Sequence, residues 1–163
     1  MRILRGLLTG ILLTVVPITP SLAAQRVAVQ GNGKLAIVGA DGQIKWEMPW
    51  GGIHDIHITN NGHTLIATGN GHSVIEVTSD KRIVWKIEQN DLAGITLAWV
   101  TTLEVLANGH YIIGNCHAGA GQPLLIELDP KTKQVLWKFD RFATFGNDVW
   151  NTQVLDVEGS VLR

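Results

Sequence analysis

The sequence predicts an all-β fold, a β-propeller of four-stranded antiparallel blades, of which this chain supplies about three. Three segments share a pattern and close on Gly62, Gly109 and Gly159, which gives a period of 47 and then 50 residues. Short apolar strands, joined by turns rich in Gly, Asn and Asp, surround these glycines. Repeats of this length and strand content are typical of propeller blades. Because one blade cannot bury both of its faces alone, we expect neighbouring blades to stack.

The repeat divides the chain after residue 24 into four units, of which the first lacks its first strand and the last has only begun. The predicted units occupy residues 26–48, 53–88, 98–139 and 149–163. A propeller closes with about four to eight blades. Three arrangements therefore stay open: a truncated chain, self-association of copies that completes the propeller, or an open arc of blades.

The fourth strand of each unit carries a tryptophan. These residues are Trp46, Trp85 and Trp137. A tryptophan fills a large gap between twisted sheets, so we expect each of them to lie in the contact between two blades. Four histidines also recur at matching places beside turns, where we expect them to cap the turns by hydrogen bonds. They are His63, His110, His72 and His117.

Residues 1–24 have the pattern of a signal peptide. Arg2 and Arg5 precede an apolar run at residues 6–16, and Ala23 and Ala24 offer small residues for cleavage. A span of the bilayer needs roughly 20 apolar residues, so we expect no stable membrane span, although a retained anchor is the alternative. Cys116 is the only cysteine, and we expect it to be buried. Export without disulfides indicates a periplasmic or secreted location.

The charge of the chain is nearly balanced, with 13 Lys and Arg residues against 14 Asp and Glu residues. A protein that binds nucleic acid through its phosphates carries a basic stripe or patch. No such stripe occurs along this sequence, which argues against nucleic acid as a partner. Phosphate-binding glycine loops, serine nucleophile motifs and paired zinc cysteines are also absent from the sequence.

Two propeller families resemble this repeat. Residues 127–137 resemble the pyrroloquinoline-quinone (PQQ) repeat Ala-x-Asp-x-x-x-Gly-Lys-x-x-Trp, with Asp129 and Trp137 in the matching places. Glu127 and Lys133 depart from the alanine and the glycine of that pattern. Residues 54–65, His-Asp-x-x-x-x-x-Asn-Gly-x-x-Leu, look like the blades of arylsulfotransferase-like propellers. The first resemblance implies PQQ as a cofactor, which nothing else in the sequence predicts. The second implies a role for His54 in sulfuryl transfer.

The predicted ligand-binding residues precede or begin the first strand of each unit. They are His54, Asp55, His57, Trp99 and Trp150. In a propeller the innermost strand lines the central channel, and the loop that leads into it lies on the face where ligands bind. His54 is the candidate catalytic residue, as a base or a nucleophile, and a polar channel-lining residue is the alternative. No metal site is predicted, because His54 and His57 are three apart on a strand and point to opposite faces.

Together these patterns predict an exported repeat protein that acts as a binding or scaffold module. Its loops would meet a protein, a carbohydrate or another small molecule. The alternative function is that of a part of an arylsulfotransferase-like or PQQ-dependent enzyme.

Overall fold

A computed structural model of the protein describes residues 25–68 and 71–155, which form three antiparallel sheets and one short helix. The first sheet has three strands, β1 (Val27–Gly31), β2 (Lys34–Val38) and β3 (Ile44–Pro49). The second sheet has four strands, β4 (Ile53–Ile58), β5 (Thr64–Thr68), β6 (Val74–Val77) and β7 (Ile83–Ile87). The third sheet has four strands, β8 (Leu103–Val105), β9 (Tyr111–Gly114), β10 (Leu125–Asp129) and β11 (Gln134–Phe139). The helix is α1 (Phe142–Phe145).

In every sheet the strands lie side by side in chain order, so each sheet is a simple meander. The predicted Asn-Gly turns join the first two strands of the second and third sheets. Gly62 has φ +81° and Gly109 has φ +86°, a left-handed conformation that glycine adopts without a steric penalty. The all-β class and the four-stranded antiparallel sheets predicted from the repeat are confirmed.

The second sheet is buried on both faces because it lies between the other two. Every residue of β5 and β6 is buried. Leu65 and Val74 pack into a cluster shared with the third sheet, which includes Leu103. Ile66 and Ile75 pack into a cluster shared with the first sheet. Its buried residues are Leu35, Met48, Ile66, Ile75 and Val77. This two-sided burial explains why the strands show little alternation of apolar and polar residues.

One tryptophan links the first sheet to the second, and another links the second sheet to the third. The indole Nε1–H of Trp46 donates to the carbonyl oxygen of Ser79 at 2.6 Å, and that of Trp85 donates to the carbonyl oxygen of Pro130 at 2.7 Å. Both acceptors lie in the turn between the third and fourth strands of a four-stranded sheet. Trp137 holds the matching position in the third sheet, where its side chain is 46% exposed and stacks on Phe139.

A β-bulge precedes each of these tryptophans. The register of the outer strand shifts by one residue just before Trp46, Trp85 and Trp137. A bulge bends the strand locally and changes the direction of the neighbouring side chain. The same irregularity in all three sheets therefore aims the three indole rings in the same way.

A buried carboxylate adds a polar link between the second and third sheets. Glu76 accepts a hydrogen bond from the Tyr111 hydroxyl at 3.1 Å, and its other oxygen lies 2.7 Å from Nδ1 of His63. The third sheet repeats the second contact, with 2.8 Å between Nδ1 of His110 and Glu127.

His63 and His110 directly precede β5 and β9, and each links the turn before its strand to a carboxylate on the next strand. Their backbone amides also donate within the predicted turns, to the side-chain oxygens of Thr59 and Asn108.

Several predicted features differ from the structure or fall beyond it. The first strand of the third sheet begins at Leu103, later than the predicted start at residue 98, because residues 96–102 form a loop. Residues 149–155 of the predicted fourth unit form no strand. The predicted signal peptide and Gly159 lie outside the described residues. Within residues 25–68 and 71–155, no helix has the length and apolar character needed to cross a membrane.

Replacing Trp85 tests the indole contact between sheets. In Trp85→Phe the ring stays apolar but the Pro130 carbonyl loses its donor, which we expect to lower the free energy of unfolding by about 1–3 kcal/mol. Trp137→Phe is the matched control and should change it by no more than about 0.5 kcal/mol, because the ring is half exposed and makes no such bond among the described residues. Urea unfolding measures both values, and equal losses would contradict the assigned role.

The stability should also depend on Tyr111 at alkaline pH. Burial, with the neighbouring Glu76 carboxylate, raises the pKa of Tyr111 above its ordinary value of about 10. As the pH rises above about 10, the unfolded chain loses this proton first, so the free energy of unfolding should fall by up to about 1.4 kcal/mol per pH unit. Tyr111 is the only tyrosine, so phenolate absorbance reports its titration directly. Tyr111→Phe should remove this part of the pH dependence, and an unchanged alkaline slope would refute the assignment.

Candidate functional site

Four aromatic side chains from separate parts of the chain meet at one place. They form the aromatic cluster, which consists of His54, Trp99, His117 and Trp150. His54 lies on β4, Trp99 in the loop before β8, and His117 in the loop after β9. Trp150 follows α1 in the chain. The second and third sheets and the segment after the third sheet therefore each contribute to one site.

Trp99 is the centre of the aromatic cluster because its ring contacts the other three. Its ring centroid lies 5.2 Å from that of His54, 5.2 Å from that of His117 and 5.7 Å from that of Trp150. The rings of His117 and Trp150 are 5.5 Å apart. All four contacts are edge-to-face, which is a favoured arrangement of aromatic rings.

The backbone around Trp99 is held from two sides. The amide of Cys116 donates to the carbonyl of Trp99 at 2.9 Å, and the amide of Val100 donates to the carbonyl of Gly71 at 2.6 Å. Gly71 has φ +79°, and a Cβ built there would lie only 2.6 Å from Cδ1 of Trp99. The indole thus packs directly on the glycine backbone, and no other residue fits that position without moving the ring.

The indole N–H of Trp99 donates a hydrogen bond to Nε2 of His54. The imidazole tautomer that is compatible with this bond carries its proton on Nδ1. The basic nitrogen of His54 is therefore already engaged by Trp99. This arrangement positions both rings.

Asn147 joins the loop of His117 to the segment that contains Trp150. Its carbonyl accepts the amide of His117 at 2.8 Å, and its side-chain oxygen accepts the amide of Gly119 at 3.0 Å. His117 has φ +58°, which is uncommon for a residue other than glycine. Its Nε2 lies 2.8 Å from a carboxylate oxygen of Asp148. Strained residues of this kind are concentrated at functional sites.

Cys116 directly precedes His117 and is buried, as the sequence predicted. Its Sγ–H donates to the carbonyl of Asn147 at 3.2 Å. Burial, and the negative charge of Asp148, raise the pKa of the Cys116 thiol above its ordinary value. The thiol is therefore protonated at neutral pH in the protein as it stands.

The structure brings three of the five predicted ligand-binding residues together and separates the other two. His54, Trp99 and Trp150 belong to the aromatic cluster. Asp55 instead accepts the amide of Leu103 at 2.7 Å, which ties β4 to β8. His57 also reaches β8, with its Nδ1 3.6 Å from a carboxylate oxygen of Glu104. Both residues serve the contact between the first strands of the second and third sheets.

The sequence did not indicate His117 or Asp148 as site residues. His117 was grouped with His72 because each follows a similar Gly-Asn-x-His pattern. The two patterns differ in one residue, Gly71 in the first and Cys116 in the second. The cysteine before His117 is thus the signal in the sequence that could have distinguished His117 from His72. It places a buried thiol beside His117.

A groove lies between the second and third sheets, apart from the aromatic cluster. This groove has a volume of about 680 Å³ and is lined by polar residues such as His63, Glu76 and His110, together with Trp85 and Tyr111. These side chains are already paired in the link between the two sheets. The groove shares no lining residue with the aromatic cluster.

The fold and the aromatic cluster define an all-β protein of stacked antiparallel sheets with a histidine–tryptophan site. No protein-family model matches the chain, and no curated protein matches it. The chain is similar to a solved crystal structure of a protein of unknown function from Bacteroides caccae, with 26% sequence identity and a TM-score of 0.63. The match covers 77% of this chain and 48% of the other, so this chain spans about half the length of that protein.

Replacing Gly71 should disturb the aromatic cluster without a large change elsewhere. In Gly71→Ala the new Cβ would push the ring of Trp99 away from His54, so we expect a changed near-ultraviolet circular dichroism spectrum. Gly94→Ala is the matched control, because Gly94 has φ +70° and open space around it. Both variants should lose roughly 1–2 kcal/mol of stability through backbone strain. Identical aromatic spectra for the two variants would show that Gly71 does not position Trp99.

Proposed function

We propose that the protein is a β-propeller binding module whose aromatic cluster recognises a small polar ligand with an apolar face, a carbohydrate. The main support is that four aromatic side chains from separate segments meet at one surface. They are His54, Trp99, His117 and Trp150. Binding sites are commonly built in this way, with aromatic side chains and a few polar groups placed by a rigid scaffold.

The propeller assignment is supported by the way the three sheets repeat. Each sheet is a meander, and Trp46 and Trp85 make the same hydrogen bond to the following sheet. The innermost strands β4 and β8 are in contact through Asp55 and Leu103. Radial repetition of small sheets around a centre would produce both kinds of contact.

The choice of a carbohydrate follows from the groups that the site exposes. Trp150 is 47% exposed, so part of its ring is open to solvent beside the other rings. The side chains of His117 and Asp148 are 40% and 62% exposed next to it. An apolar ring surface beside an imidazole and a carboxylate suits a sugar, which has apolar C–H faces and hydroxyl groups at its edges.

Two features favour binding over catalysis. Nε2 of His54 accepts a hydrogen bond from Trp99, so a catalytic base at this position would first have to break that contact. The buried Cys116 thiol has a raised pKa, whereas a nucleophilic cysteine needs a lowered one. Neither residue has the environment that activates a nucleophile or a base in enzymes.

A titration with soluble oligosaccharides, followed by tryptophan fluorescence, tests the proposal. We expect one or more neutral or acidic sugars of the panel to bind, and Trp150→Ala to weaken binding about 10-fold or more. Trp137→Ala is the matched control, since Trp137 is 46% exposed but lies outside the aromatic cluster. It should leave the affinity unchanged.

Three results would count against this function. The first is a panel in which no sugar changes the fluorescence of the wild-type protein. The second is an equal loss of affinity in Trp137→Ala and Trp150→Ala. The third is turnover of an aryl sulfate by the wild-type protein that His54→Ala abolishes, which would favour an enzyme instead.

A further inference from the structure

The loop after β9 and the segment after α1 bring three different metal-binding side chains together. One ligand atom each from Cys116, His117 and Asp148 lie within 4.8 Å of one another. In sequence the first two are adjacent, whereas Asp148 follows 31 residues after His117. Asn147 ties the two segments together through the amides of His117 and Gly119, and this brings Asp148 to the other two residues.

We propose that Cys116, His117 and Asp148 form a binding site for a divalent transition metal ion, with Zn²⁺ as the best fit. A sulfur, an imidazole nitrogen and a carboxylate oxygen are the three kinds of ligand that Zn²⁺ takes in proteins. The thiolate disfavours Mg²⁺ and Ca²⁺, which prefer oxygen ligands alone. Three protein ligands leave the fourth tetrahedral position for water or another ligand.

The distances suit a metal ion after a small rearrangement. Zn²⁺ binds its ligands at about 2.0–2.3 Å, so two ligand atoms of one tetrahedral ion lie more than 2.8 Å apart. His117 Nε2 and the Asp148 carboxylate oxygen, now 2.8 Å apart, must therefore separate slightly. The Asp148 side chain is 62% exposed, so its carboxylate can rotate outward without disturbing the core. Cys116 would supply its sulfur as a ligand; its Sγ–H now donates to the carbonyl of Asn147. Metal binding would replace that proton.

The surroundings fix the direction of the ligands. The amide of Cys116 donates to the carbonyl of Trp99, and the ring of His117 packs edge-to-face against Trp99 and Trp150. Groups that orient the ligands of a metal ion raise its affinity, typically by 10–100-fold. The site does not require that the aromatic cluster binds a sugar, so the two proposals can fail separately.

Addition of Co²⁺ to the full chain, purified without a histidine tag and treated with chelator, tests the site. Cobalt bound to a thiolate gives a strong charge-transfer band in the near ultraviolet. Cys116 is the only cysteine, so this band would report this site and no other. We expect the band to appear at one equivalent of Co²⁺ and to disappear when Zn²⁺ is added.

Variants identify the other two ligands. Asp148→Asn and His117→Gln should each weaken Co²⁺ binding by at least about 10-fold, and Cys116→Ser should abolish the band. Asp140→Asn and His72→Gln are the matched controls, since these exposed residues lie outside the cluster. Asp148→Asn changes an exposed side chain, so it tests the proposal even where Cys116→Ser disturbs folding. The absence of a thiolate band in the folded wild-type protein would overturn the proposal, as would equal affinities in Asp148→Asn and Asp140→Asn.

Discussion

The hydrogen bond from an outer-strand indole to a turn of the next sheet determines how the three sheets stack. Trp46 donates to Ser79, and Trp85 donates to Pro130, in the same geometry one repeat apart. The bulge before each tryptophan aims the ring, and the turn supplies a carbonyl at a constant place. Because β5 and β6 carry mostly apolar side chains on both faces, the second sheet must be covered on both sides to be stable. The indole contacts fix the orientation in which that covering occurs.

Stacking has a direct consequence at β4 and β8, the first strands of the second and third sheets. Asp55 on β4 accepts the amide of Leu103 on β8, so the beginnings of these strands lie next to each other. Thr102, just before β8, makes a further contact, with its hydroxyl 2.9 Å from that of Thr152. The loops that lead into the strands therefore converge. Trp99 and His54 meet there although they are 45 residues apart in the chain.

The aromatic cluster and the proposed metal site share one set of supports. Asn147 holds His117 in its left-handed conformation, and Cys116 holds the backbone of Trp99. The rings of Trp99 and His117 contact each other beside these bonds, while the neighbouring Cys116 thiol is buried. Such polar contacts between loops restrict the movement of the side chains, and a site held within a narrow geometry binds its ligand with a smaller loss of entropy.

The sequence by itself determined the class of the fold and the repeated positions within it. The Asn-Gly turns, the period of the repeat and the strand tryptophans are local patterns, so Gly62, Gly109 and Trp85 were assigned without a structure. The same alignment placed His54, Trp99 and Trp150 near the entrance to inner strands. Only the tertiary structure separated Asp55 and His57 from that group, and only it brought His117 to Asp148. The physical reason is that these contacts depend on the stacking of sheets and on a left-handed residue at position 117, neither of which has a local pattern in the sequence.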